Sequence, residues 1–233
     1  MVNASIEDRV ELLRGSTLFA ELPEKQLSAL AERLRRRAFR RNEVIFHRGD
    51  PGGVIHLIRS GTVKIHLPSE EGDETVLNLL GPGSCFGELA ALDGEPRSAT
   101  VTAVEPVETF ALMRDDLIAT IRETPDLALA LLATLAASLR RTNEWLEDAY
   151  YMDLDQRLAR RLYDMAVEQG RQTADGVEVP FPLTQSDLAA LVGATRVTIN
   201  RQLGIYQDAG LLRLGRGSYT VANMEGLRRR AGR

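Results

Sequence analysis

The chain has 233 residues, 44% of them hydrophobic and 27% charged, which suits a soluble globular protein long enough for two domains with a core each. No stretch approaches the ~18 to 20 consecutive apolar residues of a membrane helix, and Met1-Val2-Asn3-Ala4-Ser5-Ile6-Glu7-Asp8 lacks a basic segment leading into an apolar one, so the sequence reads as cytoplasmic with no membrane partner. The net charge of -4 is divided unevenly: from Leu154 onward 12 Arg and no Lys face 8 Asp+Glu, a net of +4, against 17 basic and 25 acidic residues and a net of -8 over residues 1–153, and a basic C-terminal part is compatible with nucleic-acid binding.

Two short helical patterns, residues 5–14 and 24–35, open the chain, and near Arg40 the rhythm changes to that of strands as far as about Met113. Val63-Lys64-Ile65-His66-Leu67 and Val107-Glu108-Thr109-Phe110-Ala111-Leu112 alternate apolar with polar or small residues. Turn clusters at Gly49-Asp50-Pro51-Gly52-Gly53, Ser60-Gly61, Glu71-Gly72-Asp73 and Gly81-Pro82-Gly83 recur at roughly ten-residue spacing, which predicts an antiparallel sandwich or roll. His47, His56 and His66, the only histidines, fall in this region and read as core or surface positions rather than ligands of a metal or haem.

Between two of these strands lies Phe86-Gly87-Glu88-Leu89-Ala90, with Arg97-Ser98-Ala99-Thr100-Val101 following nine residues after the glutamate. Glycine lets backbone approach a ligand closely, and a helical turn after it turns free N–H groups toward an anion. Arg97 adds a planar cationic fork for phosphate oxygens and Ser98 a hydroxyl. A carboxylate beside a phosphate is repulsive unless it accepts a hydrogen bond from elsewhere, such as a sugar hydroxyl, so Glu88 points to a nucleotide. Cys85, the single cysteine, cannot form an internal disulfide or by itself build a zinc or iron–sulfur site, and reads as a small buried residue beside the loop.

After Pro125 the period becomes that of one long helix reaching about Met152. Ala128, Leu132, Leu135, Leu139, Thr142, Leu146 and Ala149 follow at alternating spacings of 4 and 3, the seam of a two-stranded coiled coil; a helix packed on its own domain fits the pattern as well. Thr142 on that seam, with Asn143 beside it, serves either to read the edge of a base or to set register. Asp153 has the place of an N-cap for a new helix from Leu154, which puts a bend or hinge there.

The last third contains Leu183-Thr184-Gln185-Ser186-Asp187-Leu188-Ala189-Ala190-Leu191-Val192-Gly193-Ala194-Thr195-Arg196-Val197-Thr198-Ile199-Asn200-Arg201-Gln202-Leu203, which predicts a helix-turn-helix. Thr184 and Asp187 form a variant capping box, Gly193 supplies the turn and Thr195 caps the second helix. Leu188, Val192, Ile199 and Leu203 fill the space between the helices, across the small Ala189. Thr184, Gln185 and Thr195 at the helix starts, and Arg196, Thr198, Asn200 and Arg201 on the exposed face, are candidate DNA contacts, since arginine can address O6 and N7 of guanine together. Residues 211–221 then read as a two-stranded wing whose Arg216 is a candidate for the phosphate backbone.

These motifs together resemble the cyclic-AMP receptor protein (CRP/FNR) family of bacterial transcription regulators over nearly all of the chain, and the match to actinobacterial members is close around Leu139-Arg140-Arg141-Thr142-Asn143. The resemblance implies an α+β fold: a cyclic-nucleotide-binding β-roll of jelly-roll type over residues 1–124, a dimerisation helix and hinge over 125–153, and a winged helix-turn-helix over 154–233. It implies that Gly87 and Ser98, in the cassette with Leu89, hold the phosphate of cyclic AMP, that Arg97 neutralises it and that Glu88 accepts from the ribose 2′-OH. It also implies that Thr142 and Asn143 contact adenine, the latter from the partner subunit, and that Arg196 and Arg201 contact bases. Three departures stand out. Val197 occupies the place where the best-known members carry a glutamate that accepts from cytosine N4; Ser138 stands where several relatives have an arginine; and the cysteine cluster of the oxygen-sensing branch is absent, so no iron–sulfur cluster is expected.

The expected function is that of a cyclic-AMP-responsive homodimeric regulator, not an enzyme, that binds palindromic double-stranded DNA and has RNA polymerase as a further partner. Nucleotide would favour one arrangement of the long helix, and the change would pass through Asp153 to set two recognition helices about 34 Å apart, with a coupling of ~1 to 3 kcal/mol. Two alternatives remain open at this point. The regulator could bind DNA without cyclic AMP or with another effector, or the roll could be the regulatory module of an enzyme, although no catalytic motif occurs outside it.

Overall fold

The computed structural model describes residues 5–16, 18–68, 74–180, 184–215 and 217–232. They form two compact units: up to Pro68 with Leu77–Arg140 in one, and Glu74–Val76 with everything from Arg141 onward in the other.

The first unit opens with helices α1 (Ile6–Arg14) and α2 (Glu24–Arg33). Ser5 and Asp8 make a full capping box on α1, each side chain accepting from the other's backbone N–H. Strands β1 (Arg35–Phe39), β2 (Val44–Phe46), β3 (Val54–Ser60), β4 (Val63–Pro68), β5 (Glu74–Leu80) and β6 (Cys85–Phe86) follow. After the short helix α3 (Glu88–Asp93), strands β7 (Thr100–Ala103) and β8 (Val107–Met113) complete two four-stranded sheets, in the orders β1-β8-β3-β6 and β2-β7-β4-β5. Every pairing in register between β1 and β8, β3 and β6, β3 and β8, β2 and β7, and β4 and β7 is antiparallel. The roll expected from the turn spacing is therefore present.

Strand β3 shows how the roll and the helices share its residues. Ile55 and Leu57 join the core formed with α1, α2, α4 (Arg114–Glu123) and the start of α5 (Pro125–Tyr151), while Ile58 joins Val63, Phe86, Val101, Ala103 and Val107 between the sheets. Side chains two apart along a strand share a face, so one strand serves two cores.

One element departs from the sequence pattern. The expected helix over 24–35 stops at Arg33, Leu34 is extended, and the basic run Arg35–Phe39 is a strand rather than a helix end. Pairing with β8 decides this: Arg35 lies opposite Ala111 and Phe39 opposite Val107, and Arg36 donates to Glu108 at 2.5 Å, with Arg59 donating to the same carboxylate at 2.6 Å. Arginines on an edge strand also keep that edge from pairing with another sheet.

The second unit contains the end of α5, α6 (Leu154–Gln169), the hairpin β9 (Arg171–Thr173) and β10 (Gly176–Pro180), α7 (Gln185–Val192), α8 (Arg196–Asp208), β11 (Leu212–Leu214), β12 (Ser218–Val221) and α9 (Met224–Arg230). Its sheet has the order β11-β12-β10-β9. Leu158, Leu162, Val179, Leu188, Ile199, Tyr206 and Leu227 are buried in this unit. The two buried tyrosines keep their hydroxyls bonded, Tyr206 donating to the Asp155 carbonyl at 2.7 Å and Tyr219 to the Leu162 carbonyl at 2.9 Å. The whole is an α+β fold with a β-rich N-terminal part, a long helix and a C-terminal helix-turn-helix.

Candidate functional site

The cassette between β6 and β7 is built around Gly87 and Arg97. Gly87 caps α3 in a left-handed conformation, φ 83°, and a Cβ there would lie 2.5 Å from Arg97 Nη1 and 3.0 Å from the Val54 carbonyl. Conformation and space both demand glycine. Arg97, 6% exposed, sends Nη1 to the Gly87 carbonyl at 2.9 Å and Nη2 to the Val54 carbonyl at 2.8 Å, while its Nε is buried without a partner among the described residues. Its backbone is tied into the loop after β2, with Arg97 N–H donating to Asp50 and Gly49 N–H donating to Arg97, both at 2.9 Å. Ser98, next in sequence, is exposed, as is Leu89; Glu88 is half-buried.

The fork of Arg97 lies 4.0 Å above the Phe46 ring, a cation–π contact. Beside it His56 stacks on Phe86 at 4.9 Å and 5°, meets Phe39 edge-on at 6.1 Å, and shares a 3.0 Å hydrogen bond between Nδ1 and Thr109 Oγ1. Burial, reinforced by the charges of Arg97 and Arg37, holds His56 down to about 4, so its ring is neutral near pH 7. Burial also pushes the Glu88 carboxyl up, against its own backbone N–H and the Arg97 charge, and lowers the Arg97 guanidinium against the pull of Asp50 and Glu88. The Cys85 thiol is raised by burial and by Glu88, which makes it a poor thiolate and an inert neighbour. His56 is the member of this cluster that sequence reasoning missed, because its partner Thr109 lies 53 residues away.

On α5, Leu127 and Leu131 belong to the core of the first unit, whereas the seam residues Leu132, Leu139 and Leu146 are 61%, 63% and 43% exposed. Thr142 and Asn143 are exposed on the same helix. At its end the corner into α6 is bonded on several sides. Asp153 and Gln156 make a full capping box at 2.9 and 3.1 Å, and Arg160 donates to Asp148 at 2.6 Å. Arg157 sends Nη1 to the Met152 carbonyl at 2.8 Å and Nε to the Val192 carbonyl at 3.1 Å.

The helix-turn-helix forms as its caps predict. Thr184 and Asp187 exchange hydrogen bonds at 2.9 and 3.1 Å, Gly193 ends α7 with φ 67°, and Thr195 Oγ1 accepts from Thr198 N–H at 3.3 Å. Thr184 is exposed and Gln185 half-buried at the start of α7. Arg196, Asn200 and Arg201 are exposed on α8, and neither arginine is in an ion pair with a described residue. Thr198 is half-buried, its hydroxyl 2.9 Å from Thr195 Oγ1. The wing strands β11 and β12 pair with Leu212 opposite Val221, while Arg216 lies outside the described residues. Sequence reasoning also missed Asp155, which accepts from Gln202 Nε2 at 2.5 Å and from Arg230 at 3.2 Å and so joins α6, α8 and α9. Among the described residues no helix is long and apolar enough to cross a membrane, and no group of three or more His, Cys, Asp and Glu could hold a metal ion.

Residues 36–124 match the cyclic nucleotide-binding domain family and residues 156–230 the Crp-like helix-turn-helix domain family. The chain is 35% identical to the CRP-like cAMP-activated global transcriptional regulator of Mycobacterium tuberculosis, over 95% of this chain and 99% of that protein. It is likewise 35% identical to the cyclic AMP receptor protein of Thermus thermophilus, over 90% of this chain and 94% of that one. The solved structure of the c-di-GMP responsive global regulator CLP of Xanthomonas campestris shares the fold, with a TM-score of 0.76 over 86% of this chain and all of that one, at 22% identity. Its relatives are transcription regulators rather than enzymes, and the chain belongs to the CRP family of transcription regulators, with a cyclic-nucleotide-binding domain and a helix-turn-helix domain that binds DNA.

Proposed function

We propose that this regulator answers to cyclic AMP and acts as a homodimer on two-fold symmetric operator DNA. The observation that carries the effector is the interlock of Gly87 and Arg97. A permanently charged fork is held at the backbone of the glycine cassette, next to an exposed Ser98 and a half-buried Glu88. That set offers what a cyclic phosphate on a ribose requires: a cation and a hydroxyl for the phosphate, and a carboxylate for the 2′-OH. Leu89 lies in the same cassette. The base is assigned to Thr142 and Asn143 by resemblance to the family.

Dimerisation is supported by the leucine seam of α5, in which Leu132, Leu139 and Leu146 are exposed where a coiled-coil partner would cover them. A symmetric pair of recognition helices then reads half-sites about one DNA turn, ~34 Å, apart. Thr184, Gln185, Thr195, Arg196, Thr198, Asn200, Arg201 and Arg216 are the proposed DNA contacts, and RNA polymerase the proposed further partner. Ligand and DNA affinities are coupled reciprocally through α5 and the Asp153 corner, by ~1 to 3 kcal/mol.

The test is calorimetry with cyclic AMP and cyclic GMP, followed by DNA titration with and without the nucleotide that binds. Cyclic AMP is expected to bind to the wild type, to bind at least tenfold more weakly to Ser98→Ala and Arg97→Gln, and to raise DNA affinity. Saturating cyclic AMP that leaves DNA affinity unchanged would sink this reading. It would favour a regulator with another effector, a reading that draws on Arg97 already donating to two protein carbonyls and on Ser138 standing in place of an arginine.

A further inference from the structure

Three consecutive arginines end α9, and they bond in two different ways. Arg228 and Arg229 both donate to Glu225 of their own helix, at 2.8 to 3.1 Å. Arg230 reaches out of α9. Its Nη1 lies 3.2 Å from each carboxylate oxygen of Asp155 in α6, and its guanidinium carbon lies 5.3 Å from the centre of the Tyr206 ring in α8. Leu227 and Ala231 beside it are fully buried, so the turn that carries Arg230 is itself held in place.

Asp155 is also where α8 is fastened. Gln202 Nε2 donates to its Oδ1 at 2.5 Å and, one turn further on, the Tyr206 hydroxyl donates to its carbonyl at 2.7 Å. At about 100° per residue, Arg196, Asn200 and Arg201 fall within an exposed arc of about 140°, and Gln202 stands about 170° from the middle of that arc. Apolar packing of Ile199, Leu203 and Tyr206 is non-directional and sets the turn of α8 about its own axis less sharply than two hydrogen bonds to a single residue do. A turn of ~20° moves the outer ends of side chains, about 5–6 Å from the axis, by about 2 Å. That exceeds the ~0.5 Å range of hydrogen-bond lengths, so a paired contact to one base would be lost. The Asp155 side chain is 35% exposed, and a carboxylate held by one neutral partner would turn toward water and release Gln202. The guanidinium within reach of both its oxygens opposes that rotation, and it lies over the ring of the second fastening residue as well.

We propose that Arg230 is a positioning residue for DNA recognition: it locks the Asp155 carboxylate onto Gln202 and so fixes the rotation at which α8 presents Arg196, Asn200 and Arg201 to the bases. The proposal rests on the reading of α8 as the recognition helix. It gives α9 a task in sequence selection without any contact to DNA, because the arginine acts through Asp155 on the side of α8 opposite the exposed arc.

The probes are the duplex most enriched from a random pool by the full wild-type chain with cyclic AMP, and a shuffled duplex of the same length and composition. The ratio of the two affinities measures recognition, whereas charge alone acts on both duplexes alike. Arg230→Gln is expected to lower affinity for the enriched duplex about tenfold and for the shuffled one less than threefold. Asp155→Ala is expected to lower the ratio to the same extent, and adding Arg230→Gln to it to change the ratio less than twofold, since the two residues act as one unit. All binding is measured below the melting temperature of each variant. Gln202→Ala, which removes the fastening on α8 and leaves α9 intact, is expected to reproduce the loss and covers the case in which Arg230→Gln does not fold. An unchanged ratio in Arg230→Gln or Gln202→Ala, or fully additive losses in the double variant, overturns the proposal and leaves the recognition-helix reading standing. A wild-type chain that binds both duplexes equally overturns both.

Discussion

The cassette and the recognition helix both depend on arginine, and they hold it in opposite ways. Arg97 is buried, its fork donating to two backbone carbonyls and lying over Phe46. Arg196 and Arg201 stand on the exposed arc of α8 without an ion-pair partner among the described residues. A buried arginine is part of the fold, so changing its surroundings costs stability and, on the proposed function, ligand affinity with it. An exposed one is not packed into the fold, so on the same proposal its loss is felt by DNA alone. Four measurements break or sharpen that contrast.

The largest effect belongs to Gly87→Ala, which puts a methyl group against Arg97 Nη1 and a non-glycine residue at φ 83°. A loss of about 2–4 kcal/mol of unfolding free energy is expected, together with loss of nucleotide binding. An unchanged denaturation midpoint would mean that Arg97 swings aside freely and is not interlocked.

Next is pH. His56 titrates at about 4 in the fold against an ordinary value near 6.5, because burial and then Arg97 and Arg37 disfavour its charge. As pH falls the unfolded chain takes up this proton first. The stability due to His56 is therefore complete above ~6.5 and is lost as pH falls toward 4, by about 3 kcal/mol in all. Unfolding free energies of the wild type and His56→Phe between pH 7 and pH 4 should diverge by that amount, the variant showing the flatter dependence. Parallel curves would remove His56 from the account.

Arg201→Ala tests the exposed side. DNA affinity is expected to fall by about 1–3 kcal/mol with relaxed preference for guanine, at an unchanged melting temperature. A drop in melting temperature would erase the contrast drawn above. The smallest effect is expected at the α5–α6 corner, where Asp148 and Arg160 are each 19% exposed and 2.6 Å apart. A double-mutant cycle with Asp148→Asn and Arg160→Gln should return a coupling of about 1 kcal/mol, more than an open surface pair gives.

Much of this was legible in the sequence because its signals are local. Thr184, Asp187, Gly193 and Thr195 announce the helix-turn-helix within twelve residues, and Asp153 announces α6 by its cap. The spacing of Leu132, Leu139 and Leu146 marks a helix face that α5 leaves exposed, which distinguishes it from a helix wholly packed on its own domain. What escaped depends on contacts between distant residues. Leu34 and Arg35 read as the end of a helix until β8 is placed beside the strand Arg35–Phe39. The cluster of Phe39, Phe46, His56 and Phe86 comes from four strands, and no spacing in the chain brings them together. The hairpin of β9 and β10 and the helix α9 likewise owe their place to pairing with β12 and packing on α6. Asp155 lies in the first turn of α6, and its role in holding Gln202 and Arg230 is visible only in three dimensions.

Arg157 at the same corner has a consequence for the mechanics of the second unit. The Met152 carbonyl follows the last residue of α5, and the Val192 carbonyl ends α7; one guanidinium takes both. The negative ends of two helix dipoles, which would repel each other if brought together bare, are thus neutralised by a single shared cation. Turning either helix end away from the other strands a carbonyl and separates charge, so Arg157 adds an electrostatic resistance to bending between the end of α5 and the end of α7, beside the other bonds of that corner.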